Sequence, residues 1–182
     1  MVSDMVKTQK TKLAANFAAA AHKLRNHRRK YTNDPYIVHP AEVAKLVSMV
    51  CFDEDVICAA WLHDVVEDTV FTLDNIHCLF GARVAALVEQ LTDIAVPSDG
   101  NRKVRAEINR NHTAVASKEA KMVKLADLIS NTKSIVEHDP DFARVYLKEK
   151  ELLLEVLQDA DSQLYYMASQ SLINGKLKLM GD

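Results

Sequence analysis

Apolar positions recur along almost the whole chain at spacings of three and four, the mark of helices that each bury one face. Nothing alternates with a period of two over a useful length, so no sheet is expected. A first helix is predicted from about Val6 to Arg28, with Leu13, Phe17, Ala20, Ala21 and Leu24 on one stripe. The polar stretch KYTNDPYIVHP follows, and Pro40 suits the first turn of a second helix, PAEVAKLVSMV. Asp53 is placed to cap a third helix that continues through Val66. Thr72 is placed to cap a short helix ending near Gly81, and ARVAALVEQLTDI makes another. PSDGN is the clearest loop in the middle of the chain. Beyond it, RKVRAEINRNHTAVA and KEAKMVKLADLISNTKSIVEH both carry helical periodicity. Asp139 and Pro140 form a cap and first-turn pair for DFARVYLKEKELLLEVL, and DADS breaks that helix. SQLYYMASQSLI is expected to be the last helix, with Gly175 as its cap and KLKLMGD as a loose tail. The expected architecture is an all-α bundle in a single domain over residues 1–182.

Composition sharpens this picture and excludes some functions. The chain is 48% hydrophobic with only four Gly and four Pro, which suits an ordered, mostly helical protein with short connections. A formal net charge of −2 does not indicate a general nucleic-acid binder. Cys51, Cys58 and Cys78 are odd in number and form no close pair, so they read as buried free thiols in a reducing compartment. The N-terminal stretch is interrupted by Asn16 and followed by strongly basic residues, a poor signal peptide. No apolar run approaches the ~20 residues of a membrane span. A cytoplasmic protein with no membrane partner is expected.

One stretch departs from ordinary helix patterning. WLHDVVEDT loads His63, Asp64, Glu67 and Asp68 onto a segment that begins VICAAWL. On a continuous helix each residue turns about 100°, so His63 stacks under Glu67 and Asp64 under Asp68. All four then fall within an arc of about 140°. A solvated amphipathic face normally mixes in Lys or Arg, yet none lies between Asp53 and Val70. Ligand-type groups without a countercharge imply a cation, and imidazole with carboxylate suits a divalent metal. His63 and Asp64 point about 100° apart on such a helix, so other elements must complete the set. His39, fixed before Pro40, and Asp127, a charge interrupting the stripe Met122, Val123, Leu125, Leu128 and Ile129, are the candidates. Alone, a residue such as His39 is more often a loop histidine, and one such as Asp127 more often a hydrogen-bonding group between helices. Together with His63 and Asp64 they make a set of two imidazoles and two carboxylates.

The order His39, then His63-Asp64, then Asp127 resembles the HD-superfamily phosphohydrolases. RRK…PYIVHPAEVA, AAWLHDVVEDT, FGARVAALVEQLTD and VKLADLISNT together resemble the hydrolase domain of RelA/SpoT homologues, and in particular the small stand-alone alarmone hydrolases. The resemblance covers roughly residues 13–157, leaving a C-terminal helix and tail over 160–182. It implies a helical bundle of the HD-domain type that binds one Mn²⁺ and removes pyrophosphate from the 3′ position of (p)ppGpp. Carried over by position, the metal ligands are His39, His63, Asp64 and Asp127, and the catalytic pair is Glu67 and Asp68. Glu67 has a second reading, as a partner that only orients His63. Arg29 and Lys30 match a cationic pair for the polyanionic substrate. Tyr36 and Asn131 match a stacking ring and an amide, and Lys103 aligns with a basic segment near the phosphates.

Two departures bear on the substrate's base. Many relatives carry Arg or Lys right after the last metal-binding Asp, where this chain has Leu128. The C-terminal aromatic motif is replaced by RVYLKEKELL, in which Arg144 and Tyr146 are the substitutes on offer. A hydrolase of (p)ppApp therefore stands beside the favoured (p)ppGpp hydrolase. Two further readings are another HD nucleotide phosphohydrolase and a helical module that binds a nucleotide without turning it over. HDxxED with its upstream Arg-Lys argues against the first, and the intact ligand set with Glu67 and Asp68 argues against the second.

Overall fold

The computed structural model describes residues 8–181, so the predicted start of the first helix at Val6 lies outside the described residues. The chain divides into two compact units, Met1–Thr92 and Asp93–Asp182. No strand occurs among the described residues, and Arg28 and Pro35 form an isolated bridge.

In the first unit, α1 (Gln9–Leu24) starts at Thr8, whose side chain accepts from the Thr11 amide. It stops short of the predicted Arg28. Asn26 takes a positive φ of 49°, and the His27 amide donates back to the His22 carbonyl, which closes the end of the helix. Its buried face is Thr11, Ala14, Ala18, Ala21 and His22, while Leu13, Ala20 and Leu24 from the predicted stripe are exposed. The reason is close packing: α1 lies on α3 (Glu54–Leu62) through its small residues, and α3 is apolar on every face from Val56 onward. Every residue of α3 from Val56 to Leu62 is buried. Full burial of one large aliphatic side chain is worth about 1.5–3 kcal/mol, so α3 is the axis of this unit. α2 (Val38–Val47) and α6 (Ala82–Leu91) also pack on it.

The third helix does not run through Val66 as its periodicity suggests. It ends at Leu62, His63 and Asp64 form a turn, and α4 (Val65–Asp68) is a separate single turn. Asp53 and Thr72 cap as expected, and Thr72 forms a reciprocal capping box with Asn75 at the start of α5 (Leu73–Phe80). Gly81, at φ 91°, makes the tight junction into α6.

The second unit is built from α7 (Arg102–Ala114), α8 (Lys118–His138), α9 (Pro140–Glu155) and α10 (Ser162–Gly181). Asp139 caps α9 by accepting from the Phe142 amide, as its Asp-Pro sequence predicts. α8, α9 and α10 pack on one another. α10 continues through Gly175 to Gly181, where a cap and loose tail were expected. Gly175 is instead a crossing point. A Cβ there would stand 3.0 Å from Val136 Cγ2 and 3.2 Å from Leu147 Cδ2. The absent side chain lets α10 approach α8 and α9, which offsets the propensity cost of about 1 kcal/mol for glycine within a helix.

Candidate metal centre

The turn between α3 and α4 changes the geometry of the His-Asp pair. On a continuous helix the two side chains diverge. With Asp64 at φ −98° and ψ −3°, outside both helices, they converge. His63 Nε2 lies 3.1 Å from Asp64 Oδ2. His39, in the first turn of α2, brings its Nε2 to 3.5 Å from the same oxygen and 3.3 Å from His63 Nε2. Both imidazoles are buried, at 2% and 4% exposure.

The remaining hydrogen bonds orient this group. His63 donates Nδ1–H to the Ala60 carbonyl at 2.8 Å, which leaves Nε2 as the lone-pair nitrogen facing His39 and Asp64. Tyr36 donates its hydroxyl to Asp64 Oδ2 at 2.5 Å. Burial alone would raise the Asp64 carboxyl. The charge that the neighbouring His63 carries when protonated, with the N–H groups that His39 and His63 then direct at Asp64, overcomes that and holds the carboxyl well below the ordinary value; in the neutral rings the same positions are open to an ion. Two buried ring nitrogens and an ionised carboxylate, converging with one of the rings already fixed from behind, fit a divalent cation.

The other predicted residues divide between the two units. Glu67 and Asp68 end α4, one turn beyond Asp64; Glu67 is exposed and Asp68 half-buried. Burial, then the Asp64 charge, pushes the Asp68 carboxyl up. The Arg29 guanidinium lies 5.9 Å from the centroid of the Tyr36 ring. Lys30 donates to the Tyr31 hydroxyl at 3.1 Å and lies over that ring. In the second unit Asn131 donates to Asp127 Oδ1 at 2.6 Å, so these two residues act together one turn apart on α8. Lys103 is exposed on the first turn of α7, and Arg144 is exposed on α9. Tyr146 is buried, with its hydroxyl 3.5 Å from Thr132 Oγ1 and the Lys150 ammonium over its ring. Leu128 is buried on α8.

The HD-domain family model matches residues 14–153. The chain belongs to the HD-domain family. Among curated relatives, it is 38% identical over 130 residues to guanosine-3′,5′-bis(diphosphate) 3′-pyrophosphohydrolase MESH1 of Xenopus tropicalis, covering 70% of each chain. It is 42% identical over 125 residues to the MESH1 protein of Mus musculus, covering 67% of each chain. Among solved structures, it superposes with a TM-score of 0.81 and 27% identity on one described as a metazoan ortholog of SpoT that hydrolyses ppGpp. That match covers 92% of this chain and 96% of the other. Within this HD-domain chain, the sequence pattern located His39, His63 and Asp64 but gave Tyr36 only as a stacking ring. Its ring stacks on the chain's own His27, with centroids 3.7 Å apart and planes at 12°, while its hydroxyl serves Asp64. The same pattern passed over His22 and His27. The signal was two histidines in AHKLRNH, where the helix end folds the chain back.

Of the three cysteines, all free, Cys58 is buried and its thiol is pushed up to about 12 by burial. Cys51 is half-buried, but Cys78 is exposed, against the expectation of buried thiols. No helix among the described residues is long and apolar enough to cross a membrane.

Proposed function

We infer that this HD-domain protein is a metal-dependent 3′-pyrophosphohydrolase of the alarmone (p)ppGpp, yielding pyrophosphate and GDP or GTP. The observation that carries this reading is the convergence of His39, His63 and Asp64 within 3.1–3.5 Å of one another. The MESH1 relatives, named for that reaction, support it. The resemblance adds Asp127 as a fourth ligand and Mn²⁺ as the ion. A divalent ion in this set supplies Lewis acidity for phosphoryl chemistry.

The chain's own residues supply the rest. Glu67 and Asp68 orient a water and accept its proton as its oxygen attacks the phosphorus next to the 3′ oxygen. The bond between that phosphorus and the 3′ oxygen breaks, pyrophosphate leaves and the 3′ oxygen regains a proton. The raised Asp68 carboxyl is suited to holding a proton transiently. Arg29, Lys30 and Lys103 meet phosphate charge, Asn131 offers an amide and Tyr36 holds Asp64. Tyr146 meets the substrate only by moving out of its burial. The three free thiols suit a reducing, cytoplasmic setting.

The buried Leu128 offers no charge to a guanine carbonyl, so base preference is the feature to test first. A pocket built for one base leaves the six-position group of the other unpaired, at about 1–3 kcal/mol. Comparing kcat/KM for ppGpp and ppApp with the same divalent ion decides it. A higher value for ppGpp is expected. A hundredfold preference for ppApp would change the base while keeping the 3′-pyrophosphate chemistry, and no turnover of either would overturn the assignment.

A further inference from the structure

A second group of the same composition lies in the first unit. The end of α1 contributes His22, the turn after it His27 and the end of α4 Asp68. His22 Nδ1 and His27 Nδ1 are 3.2 Å apart, and His27 Nδ1 is 3.8 Å from Asp68 Oδ2. One ligand atom from each residue falls within 4.8 Å of the others. Two nitrogens each about 2.1 Å from a common ion stand roughly 3.0–3.4 Å apart across right-angled to tetrahedral ligand angles. The 3.2 Å separation matches that span, as does the 3.3 Å between His39 and His63.

The group is also built and reachable. Tyr36 holds the His27 ring in a stack and packs against the His22 ring with centroids 4.6 Å apart. His22 is 1% exposed and its pKa is lowered to about 4, first by burial, so its ring stays neutral at pH 7. Its Nε2 is buried without a hydrogen-bond partner, so nothing on that side fixes the tautomer and Nδ1 can be the lone-pair nitrogen. A cavity of about 340 Å³ bordered by His22, His27 and Tyr36 opens on one side. His27 and Asp68 line a second opening together with Arg25 and Arg28.

We propose that His22, His27 and Asp68 form a second divalent transition-metal site, distinct in its ligands from the His39–His63–Asp64 centre. Two imidazoles and one carboxylate suit a borderline ion such as Zn²⁺, Co²⁺ or Mn²⁺. Ligation through Nδ1 places the proton of each neutral ring on Nε2. The site also draws on Asp68, so an ion there occupies a carboxylate that the proposed reaction uses as a proton acceptor. Excess ion is then inhibitory, a consequence that rests on the hydrolase reading, whereas the site itself does not.

The test counts ions. Equilibrium dialysis of the full chain against Co²⁺, with metal content and the visible absorption of Co²⁺ read together, should give two equivalents per chain. His27→Ala and, independently, Asp68→Asn should each reduce this to one, with affinity for the second equivalent lowered at least tenfold. His63→Ala should retain one equivalent that the double variant His63→Ala/His27→Ala loses, which keeps the result independent of catalysis. Thermal melts of each variant establish that it is folded. A single equivalent in the unaltered chain, or two equivalents in folded His27→Ala, would overturn the proposal.

Discussion

The first unit holds two His-His-Asp groups whose paired ring nitrogens are almost equally spaced, 3.3 Å in one and 3.2 Å in the other. What separates them is the support behind the rings. In the His39 group the far nitrogen of His63 is tied to the Ala60 carbonyl, and Asp64 touches both imidazoles and accepts from Tyr36. In the His22 group the far nitrogen of His22 has no partner, and Asp68 reaches His27 only at 3.8 Å. The first group comes from a turn between two helices set on the buried axis of the unit. The second is gathered where a helix end, its loop and a single helical turn meet. Ligand type alone does not make a tight site; fixed orientation supplies the rest.

The largest effect that separates the two groups is expected from His63→Ala. Removing a buried ligand from the supported group should abolish its bound metal and bring alarmone hydrolysis to background, and Asp127→Ala should do the same if Asp127 is the fourth ligand. Metal content and pyrophosphate release on the same samples check both, and stoichiometric metal with full turnover in Asp127→Ala would remove it from the set. Next in size is Glu67→Gln, which should keep most of the metal affinity and lose about 10²-fold or more in rate, as expected for loss of a general base. Equal loss of metal and rate would make Glu67 a ligand or its orienting partner.

A smaller effect tests the support itself. Tyr36→Phe removes the hydroxyl that Asp64 accepts, and should weaken metal affinity or activity by about 10–100-fold. Unchanged affinity and rate would show that the Asp64 orientation is held by the histidines alone. The last effect concerns stability. The His22 side chain takes a proton near pH 6.5 when unfolded but only at about 4 when folded, because it is buried. Between those values the unfolded chain binds more protons, so stability should fall as pH drops from about 6.5 to about 4, by up to about 3 kcal/mol. Chemical denaturation of metal-free protein across that range measures it. His22→Phe should flatten the slope, and an unchanged slope would assign the loss to other groups.

Much of this was legible in the sequence where a local rule governs. Capping by Asp53, Thr72 and Asp139 depends on one side chain and its near neighbours, and all three cap as read. His39, His63 and Asp64, which the fold brings together, were singled out because their residue types and order carry the chemistry. The rest depended on tertiary packing. The face of α1 was misread because Leu13 and Leu24 look like core, whereas a close approach to α3 selects the small residues Ala14, Ala18 and Ala21. The turn at His63-Asp64 carries no Gly or Pro, so periodicity ran straight through it. Gly175 was read as a stop because a glycine's local cost is visible in a sequence and the helix crossing that requires it is not. The Tyr36 hydroxyl bond joins residues 28 positions apart and has no local signature.

The most direct measurement of the central claim is product release during metal reconstitution. Protein stripped with a chelator, then supplied with Mn²⁺ stepwise, should release pyrophosphate from ppGpp at a rate that rises in step with the metal held by the His39–His63–Asp64 group, and should form GDP in equal amount. His63→Ala should remain at background throughout the titration. Full turnover by stripped protein, or release of orthophosphate in place of pyrophosphate, would contradict the account.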